Sequence, residues 1–291
     1  MTSMNFIGLD IHKKTISYCV KDVSGKVLSE GKIAATRQGL DEWRMTLFGP
    51  WTVAMEATMF TGWIYDYLRP HAAAVKVAHP LMLRAIAVAK KKNDRIDAGK
   101  IADCLRCDFL SECYMAPMEI RQRRRTLRYR KLLVRQNVQL KNKIAQMLME
   151  SGVSYNKEKL HQQGYFHQVL PTNPEIDSSL WPLLKLSREM IERTQKTERA
   201  LLRSLEADPL LAARVDRLMT IPAIGHVTAL TWALEVGEVE RFHSVKQVIS
   251  YCGLCSGEKT SAGSSKRRPM SKQSNRDLPT VLLEAAHLAP R

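Results

Sequence analysis

The sequence has no apolar run long enough to form a membrane-spanning helix, and its opening MTSMNFIGLDIHKK holds no apolar core of signal-peptide length. Both absences predict a cytosolic protein that does not insert into membranes. Cysteine is scarce: six in 291 residues cannot build a disulfide scaffold. Two pairs, Cys104/Cys107 and Cys252/Cys255, have C-x-x-C spacing and raise the question of zinc. The first pair lies in a helical stretch, IADCLRCDFL, without the tight turn of a zinc knuckle, so the simpler reading is six buried small apolar residues. Acidic residues are also short: 29 Asp and Glu face 45 Lys and Arg, a formal charge of +16. Such an excess says nothing of fold but favours a polyanionic partner, chiefly nucleic acid.

What is present begins with three short strands, NFIGLDIH, TISYCVKD and VLSEGKIAA, joined by turns at Lys13-Lys14 and Ser24-Gly25. The spacing of Leu40, Trp43 and Leu47 predicts a helix over RQGLDEWRMTLF. WTVAMEAT reads as a buried strand, TGWIYDYLRPH as a helix ended by Pro70, and AAVKVAHP as another strand. A helical region follows from about Leu81 to Leu110. The order β-β-β-α-β-α-β-α is that of a ribonuclease-H-like α/β domain, expected over residues 1–113.

Residues 118–150 then predict one long basic helix. Leu133, Asn137, Leu140, Ile144 and Met147 fall at 4-3-4-3 spacing, a short heptad seam with one polar position, which points to a coiled coil and a homo-oligomer. An amphipathic helix packed on its own domain is the alternative. Arg121, Arg123, Arg124, Arg125 and Arg128 precede the seam and are expected to meet phosphates. Residues 151–212 read as a helical linker region, with short helical pieces over 151–181 and then a polar amphipathic helix from about Leu183 to Leu205. In 213–291, LMTIPAIGHVTALTWALEV has the pattern of a helix-hairpin-helix, whose turn amides can hold a phosphate. The remainder is a loop rich in Ser, Gly, Lys and Arg between helices.

Asp94 and Asp97 are the puzzle of KKKNDRIDAGKIAD. They are three residues apart on one helix face, where like charges repel. In the ribonuclease-H arrangement, Asp10 of the first strand, Glu56 at the end of the fourth and these two acids converge. Four carboxylates together require divalent cations, and hard oxygen ligands favour Mg2+ or Mn2+. Two such ions suit in-line displacement at a phosphodiester. Asp103 falls on the opposite helix face and is expected to pair with Lys100.

GLDIHKKTI, AMEAT, KKNDRIDAGKIAD, TIPAIGHVTA and YCGL…SAGSSKRRPMSKQSNRDL…LLEAA together resemble the DEDD transposases of the insertion sequence 110 family, which includes the pilin-gene invertase Piv. The resemblance covers nearly the whole chain. It implies a RuvC-like amino-terminal domain, a coiled coil and a mostly helical carboxy-terminal transposase domain. It implies that Asp10, Glu56, Asp94 and Asp97 bind metal and that Ser261 attacks DNA to form a phosphoserine link. Lys266, Arg267 and Arg268 would then stabilise phosphate charge. It further implies a multimer, DNA and an element-encoded bridge RNA as partners, and a place in the bacterial or archaeal cytoplasm at the nucleoid. The sequence departs from the family's pattern at Ser256, Ala262, Ser274 and Pro279. A metal-dependent nuclease or junction resolvase using only the four acids is an alternative, as is a decayed transposase that still binds nucleic acid. An actin-like kinase is the weakest rival, because His12-Lys13-Lys14 stands where its phosphate turn requires glycine and threonine and the charge does not suit a small-molecule kinase.

Overall fold

A computed structural model describes the backbone of residues 3–86, 94–261, 264–270 and 275–289; side chains of residues 84–86 and 258–270 lie outside the description. The chain divides into two compact units, Met1–Met118 and Glu119–Arg291.

The first unit is a mixed five-stranded sheet flanked by helices. Strands β1 (Asn5–Ile11), β2 (Thr15–Lys21) and β3 (Val27–Ala34) form an antiparallel meander. Strands β4 (Trp51–Glu56) and β5 (Ala74–Ala78) add parallel to β1, giving the order β3-β2-β1-β4-β5. The β2–β3 turn is set by Asp22, whose Oδ1 accepts from Ser24 N at 2.8 Å and Lys26 N at 3.0 Å, with Gly25 at φ +91°. From Trp51 to Met55 every residue of β4 is buried, as a parallel strand covered on both faces must be.

Helix α1 (Arg37–Arg44) is capped by Thr36, whose hydroxyl accepts from Gly39 N at 3.0 Å, and it buries Leu40 and Trp43 against the sheet. The helix stops at Arg44, short of the expected Phe48, and leaves Met45 and Phe48 exposed. Helix α2 (Thr61–Leu68) follows β4. The expected helical region after β5 resolves into α3 (Pro80–Ile86) and α4 (Asp94–Arg106), with residues 87–93 outside the description. Helix α4 ends where Asp108 turns left-handed at φ +51° and Phe109 N donates to Cys104 O at 2.9 Å.

The second unit is mostly helical. Helix α5 (Met118–Glu150) has the length the sequence predicts. Its seam, however, is covered by its own chain. Ile144, Met147 and Leu148 share a core with Leu160, Phe166, Leu170, Leu180, Leu184 and Ile191, which brings in α6 (Leu180–Glu206). Asn137, the polar seam position, is buried and hydrogen-bonds to Thr194 of α6. A second copy therefore does not find this seam free. Residues 153–172 are correspondingly no polar linker. They include a π turn (Tyr165–Val169) and a 3-10 turn (Leu170–Thr172), and they supply Val153, Leu160, Phe166 and Leu170 to the core.

Helices α7 (Pro209–Met219) and α8 (His226–Val236) follow, joined through Ala223 at φ +69° and packed through Leu211, Val215, Leu230 and Leu234. After α9 (Val245–Tyr251), the expected loop is instead an antiparallel hairpin of β6 (Ser256–Ser261) and β7 (Ser264–Met270), and α10 (Leu278–Leu288) closes the unit. Among the described residues no helix is long and apolar enough to cross a membrane.

Candidate active site

Helix α4 lies across β1 and β2 at very close range. A Cβ added to Gly8 would sit 2.0 Å from Ala98 O and 2.5 Å from Ala102 N, so only glycine permits this crossing. The helix contributes small residues, Ala98, Gly99 and Ala102, at the crossing and buries Ile101, Cys104 and Leu105 on either side. Three ion pairs fasten it along its length. Lys21 of β2 holds Asp103 at 2.6 Å, Arg95 meets Glu30 of β3, and Lys32 of β3 holds Asp94 at 2.8 Å. Asp103 thus pairs with Lys21 and, more loosely, with Arg106 at 3.7 Å. Lys100 pairs instead with Asp97, at 3.8 Å.

The first turn of α4 carries Asp94 and Asp97. Partial positive charge from unsatisfied amides at a helix start favours acids there. On the same side of the sheet, β1 presents Asp10, and His12 follows two residues later on the same face. The His12 Nε2 lies 3.2 Å from Asp10 Oδ2 and 3.5 Å from Asp94 Oδ1, and potential ligand atoms of the three residues all lie within 4.8 Å of one another. Burial pushes the Asp10 carboxyl above its ordinary pKa, and repulsion from Asp94 and Asp97 adds to the rise, against the pull of His12. Asp94 shifts the other way, because Lys32 hydrogen-bonds to it and holds its charged form.

Glu56 ends β4. The β1–β4 register runs to Leu9↔Met55, and its next step sets Glu56 abreast of Asp10. Glu56 lies on the same face as Ala54, which packs on α4. Ser17, directly opposite Asp10 in β2, is 2% exposed, and its hydroxyl makes no hydrogen bond among the described residues. An orphaned buried hydroxyl beside carboxylates fits a hydrated cation, whose waters would satisfy it. The donor set suits a divalent ion held by Asp10, Asp94 and their neighbours.

The basic helix is less free than its composition suggests. Arg123 forks onto Asp208, at 2.5 and 2.9 Å. Arg128 donates to both oxygens of Glu235, at 2.8 and 3.0 Å, while Arg124 donates to the carbonyl of Leu234 at 2.6 Å. Lys131 holds Asp277 at 2.5 Å, and Arg130 holds Glu198 at 2.7 Å. Arg123, Arg124 and Arg128 therefore each hold a group of the fold; Arg125 is exposed and Arg121 half-buried. Ser261 ends β6, with its backbone paired to Ser264. Its side chain, and those of Lys266, Arg267 and Arg268, fall outside the described residues. The cysteines are free, and Cys107 and Cys255 are exposed rather than buried. Among the described residues, the candidate metal group is Asp10, His12 and Asp94, with no cysteine.

Sequence reading missed His12, Lys32 and Glu235. For His12 a usable indication existed, since an i,i+2 spacing from Asp10 on one strand puts both on one face. Lys32 and Glu235 carry no such mark, because their roles depend on cross-strand register and on helix packing.

Residues 7–152 match the DEDD transposases of IS110 type, and residues 215–291 match the transposase IS116/IS110/IS902 family. Among curated relatives, the transposase for insertion sequence element IS1328 of Yersinia enterocolitica is 26% identical, over 99% of this chain and 84% of that one. The transposase for insertion sequence element IS1111A of Coxiella burnetii is 24% identical, over 98% of this chain and 78% of that one.

Proposed function

The chain belongs to the IS110-family transposases, and on that premise we propose that it cuts and exchanges DNA strands through a divalent-metal centre formed by Asp10, Glu56, Asp94 and Asp97. The observation that carries this reading is the meeting of Asp10 and Asp94, far apart in sequence, with the ionisation of Asp10 opposed by Asp94 and Asp97. The sheet order, an antiparallel meander with two parallel strands added beside β1, supports a ribonuclease-H-like first domain. A bound Mg2+ or Mn2+ would polarise the phosphodiester and offset developing negative charge.

The protein's own groups do the remaining work. Asp10, Glu56, Asp94 and Asp97 would hold the ion, and Lys32 favours the ionised form of Asp94. Ser261 is assigned as nucleophile from the family pattern. Its hydroxyl oxygen forms a bond to phosphorus, the bond from phosphorus to one deoxyribose oxygen breaks, and that oxygen leaves with a proton. The hydroxyl's own proton passes to a base or solvent. Exchange would then proceed in a multimer, with DNA ends and target as substrates and a bridge RNA choosing them.

The test incubates purified protein with Mg2+, a supercoiled plasmid carrying joined element ends, and the flanking RNA. Protein attached covalently to DNA on a denaturing gel, abolished by Asp10→Ala and by Ser261→Ala, is the expected result. Cleavage without an adduct that survives Ser261→Ala would replace this reading with a metal nuclease. Binding without scission would point to a decayed transposase.

A further inference from the structure

We propose that His12 is an inner ligand of the metal, and that its nitrogen tunes this centre toward Mn2+ over Mg2+. The inference rests on the reading that the acids hold an ion, and adds what that ion is. Three features carry it. First, His12 Nε2 stands between Asp10 Oδ2, 3.2 Å away, and Asp94 Oδ1, 3.5 Å away, the spacing of ligands around one ion. Second, His12 does not dangle from a loop. Its backbone N donates to Thr15 O at 2.9 Å, which continues the β1–β2 ladder one residue past the strand and fixes the side chain's face.

Third, the two oxygens of Asp94 are divided. Oδ2 is held by Lys32 at 2.8 Å, which leaves Oδ1 turned toward His12. A carboxylate pinned on one oxygen and facing an imidazole with the other is already oriented as a monodentate ligand. The buried hydroxyl of Ser17, opposite Asp10 and without a hydrogen bond among the described residues, would offer a partner to a water of such an ion.

The choice of ion follows from the donor atoms. Mg2+ holds to oxygen ligands and dehydrates reluctantly, whereas Mn2+ shares its preference for carboxylates yet accepts imidazole. Replacing one oxygen by a nitrogen therefore costs Mg2+ more than Mn2+.

The full-length protein, loaded with Mn2+, is examined by pulsed electron paramagnetic resonance for modulation from a directly bound 14N nucleus. Calorimetric titrations with Mn2+ and Mg2+ are run beside it on wild type, His12→Ala and Asp10→Asn. The expected result is nitrogen modulation in wild type, lost in His12→Ala, with the Mn2+ preference over Mg2+ falling about tenfold in that variant. Asp10→Asn should remove the bound ion, showing that the signal arises at this site. His12 is half-exposed, and unchanged circular dichroism of His12→Ala establishes that it folds. Mn2+ bound at a site lost in Asp10→Asn, but without nitrogen modulation, overturns the role of His12 and leaves the acid centre standing. No Mn2+ binding by wild type overturns both.

Discussion

The first unit and the long helix of the second both depend on ion pairs, yet they balance charge in opposite ways. Along α5 an abundance of arginine is spent on fixed acids. Glu235, almost fully buried, receives both Arg128 and Arg124, and Asp208 receives a two-pronged Arg123. At the head of α4 carboxylates instead crowd one another: Asp10 and Asp94 meet at His12, and Lys32 holds Asp94. Burial and repulsion there raise the pKa of Asp10, whereas the fork from Arg123 lowers that of Asp208. A group whose charge is satisfied by the fold contributes to stability. One left unsatisfied awaits something the fold does not supply. Of the conspicuous arginine run, Arg123, Arg124 and Arg128 hold groups of the fold, whereas the inconspicuous D-x-x-D is where we propose the chemistry.

Removing an acid from each region should break the symmetry between them. Glu235→Ala would take the carboxylate from Arg128, the 3.8 Å ion pair from Arg124 and, from Asn275, an acceptor at 2.8 Å. A loss of about 3 kcal/mol is expected in denaturant unfolding. Asp10→Asn should leave stability unchanged or slightly raised, because it removes a repelled charge. Equal destabilisation by the two would refute the contrast.

Gly8→Ala attacks the packing that brings the acids together. With a new Cβ 2.0 Å from Ala98 O, α4 must lift from the sheet. The expected cost is about 2 kcal/mol, smaller than that at Glu235, with Mn2+ affinity lost more completely than stability. Calorimetry on the folded variant checks the dissociation of the two effects.

Much of this was legible in the sequence, for reasons that differ by element. The strands announced themselves through apolar runs and turn residues and α5 through its heptad spacing, and the fold brings Asp10 beside Asp94. The hairpin at Ser256–Met270 did not, because its side chains show no apolar alternation and its strands rest on ladder bonds that sequence does not display. Leu160, Phe166 and Leu170 looked like linker residues because the π and 3-10 turns around them break the helical period. The heptad at Leu133–Met147 was visible, but whether its partner was another chain or the returning α6 was not. Arginines do not name their partners. Only the fold shows that Asp208 and Glu235 come within reach.

Acid pH sharpens the comparison further. The folded pKa of Asp208 is lowered, chiefly by the hydrogen bonds from Arg123, so its stabilising contribution is present above the unfolded value of 3.8. It is lost as pH falls from there through the lower folded value. Arg123→Ala should therefore cost about 1 kcal/mol at neutral pH and flatten this acid-limb loss, as followed by thermal unfolding between pH 6 and about pH 3. An undiminished acid-limb slope in the variant would mean that other carboxylates set it.

The smallest effect is expected at Lys32, and it bears most directly on the difference between the regions. Its ammonium lies 2.8 Å from Asp94 Oδ2, but the side chain is 57% exposed, so water screens the pair. Lys32→Ala should leave stability essentially unchanged. In the architectural helix the loss of a cation leaves an acid stranded. Here it leaves an acid more available, because a positive charge that competes with the ion for Asp94 is gone. Mn2+ should then bind a few-fold more tightly, provided His12 and the start of α4 keep Oδ1 in place. Tighter binding with unchanged stability identifies Lys32 as a stand-in for the ion. Weaker binding would show that the orientation Lys32 gives Asp94 outweighs its repulsion of the ion.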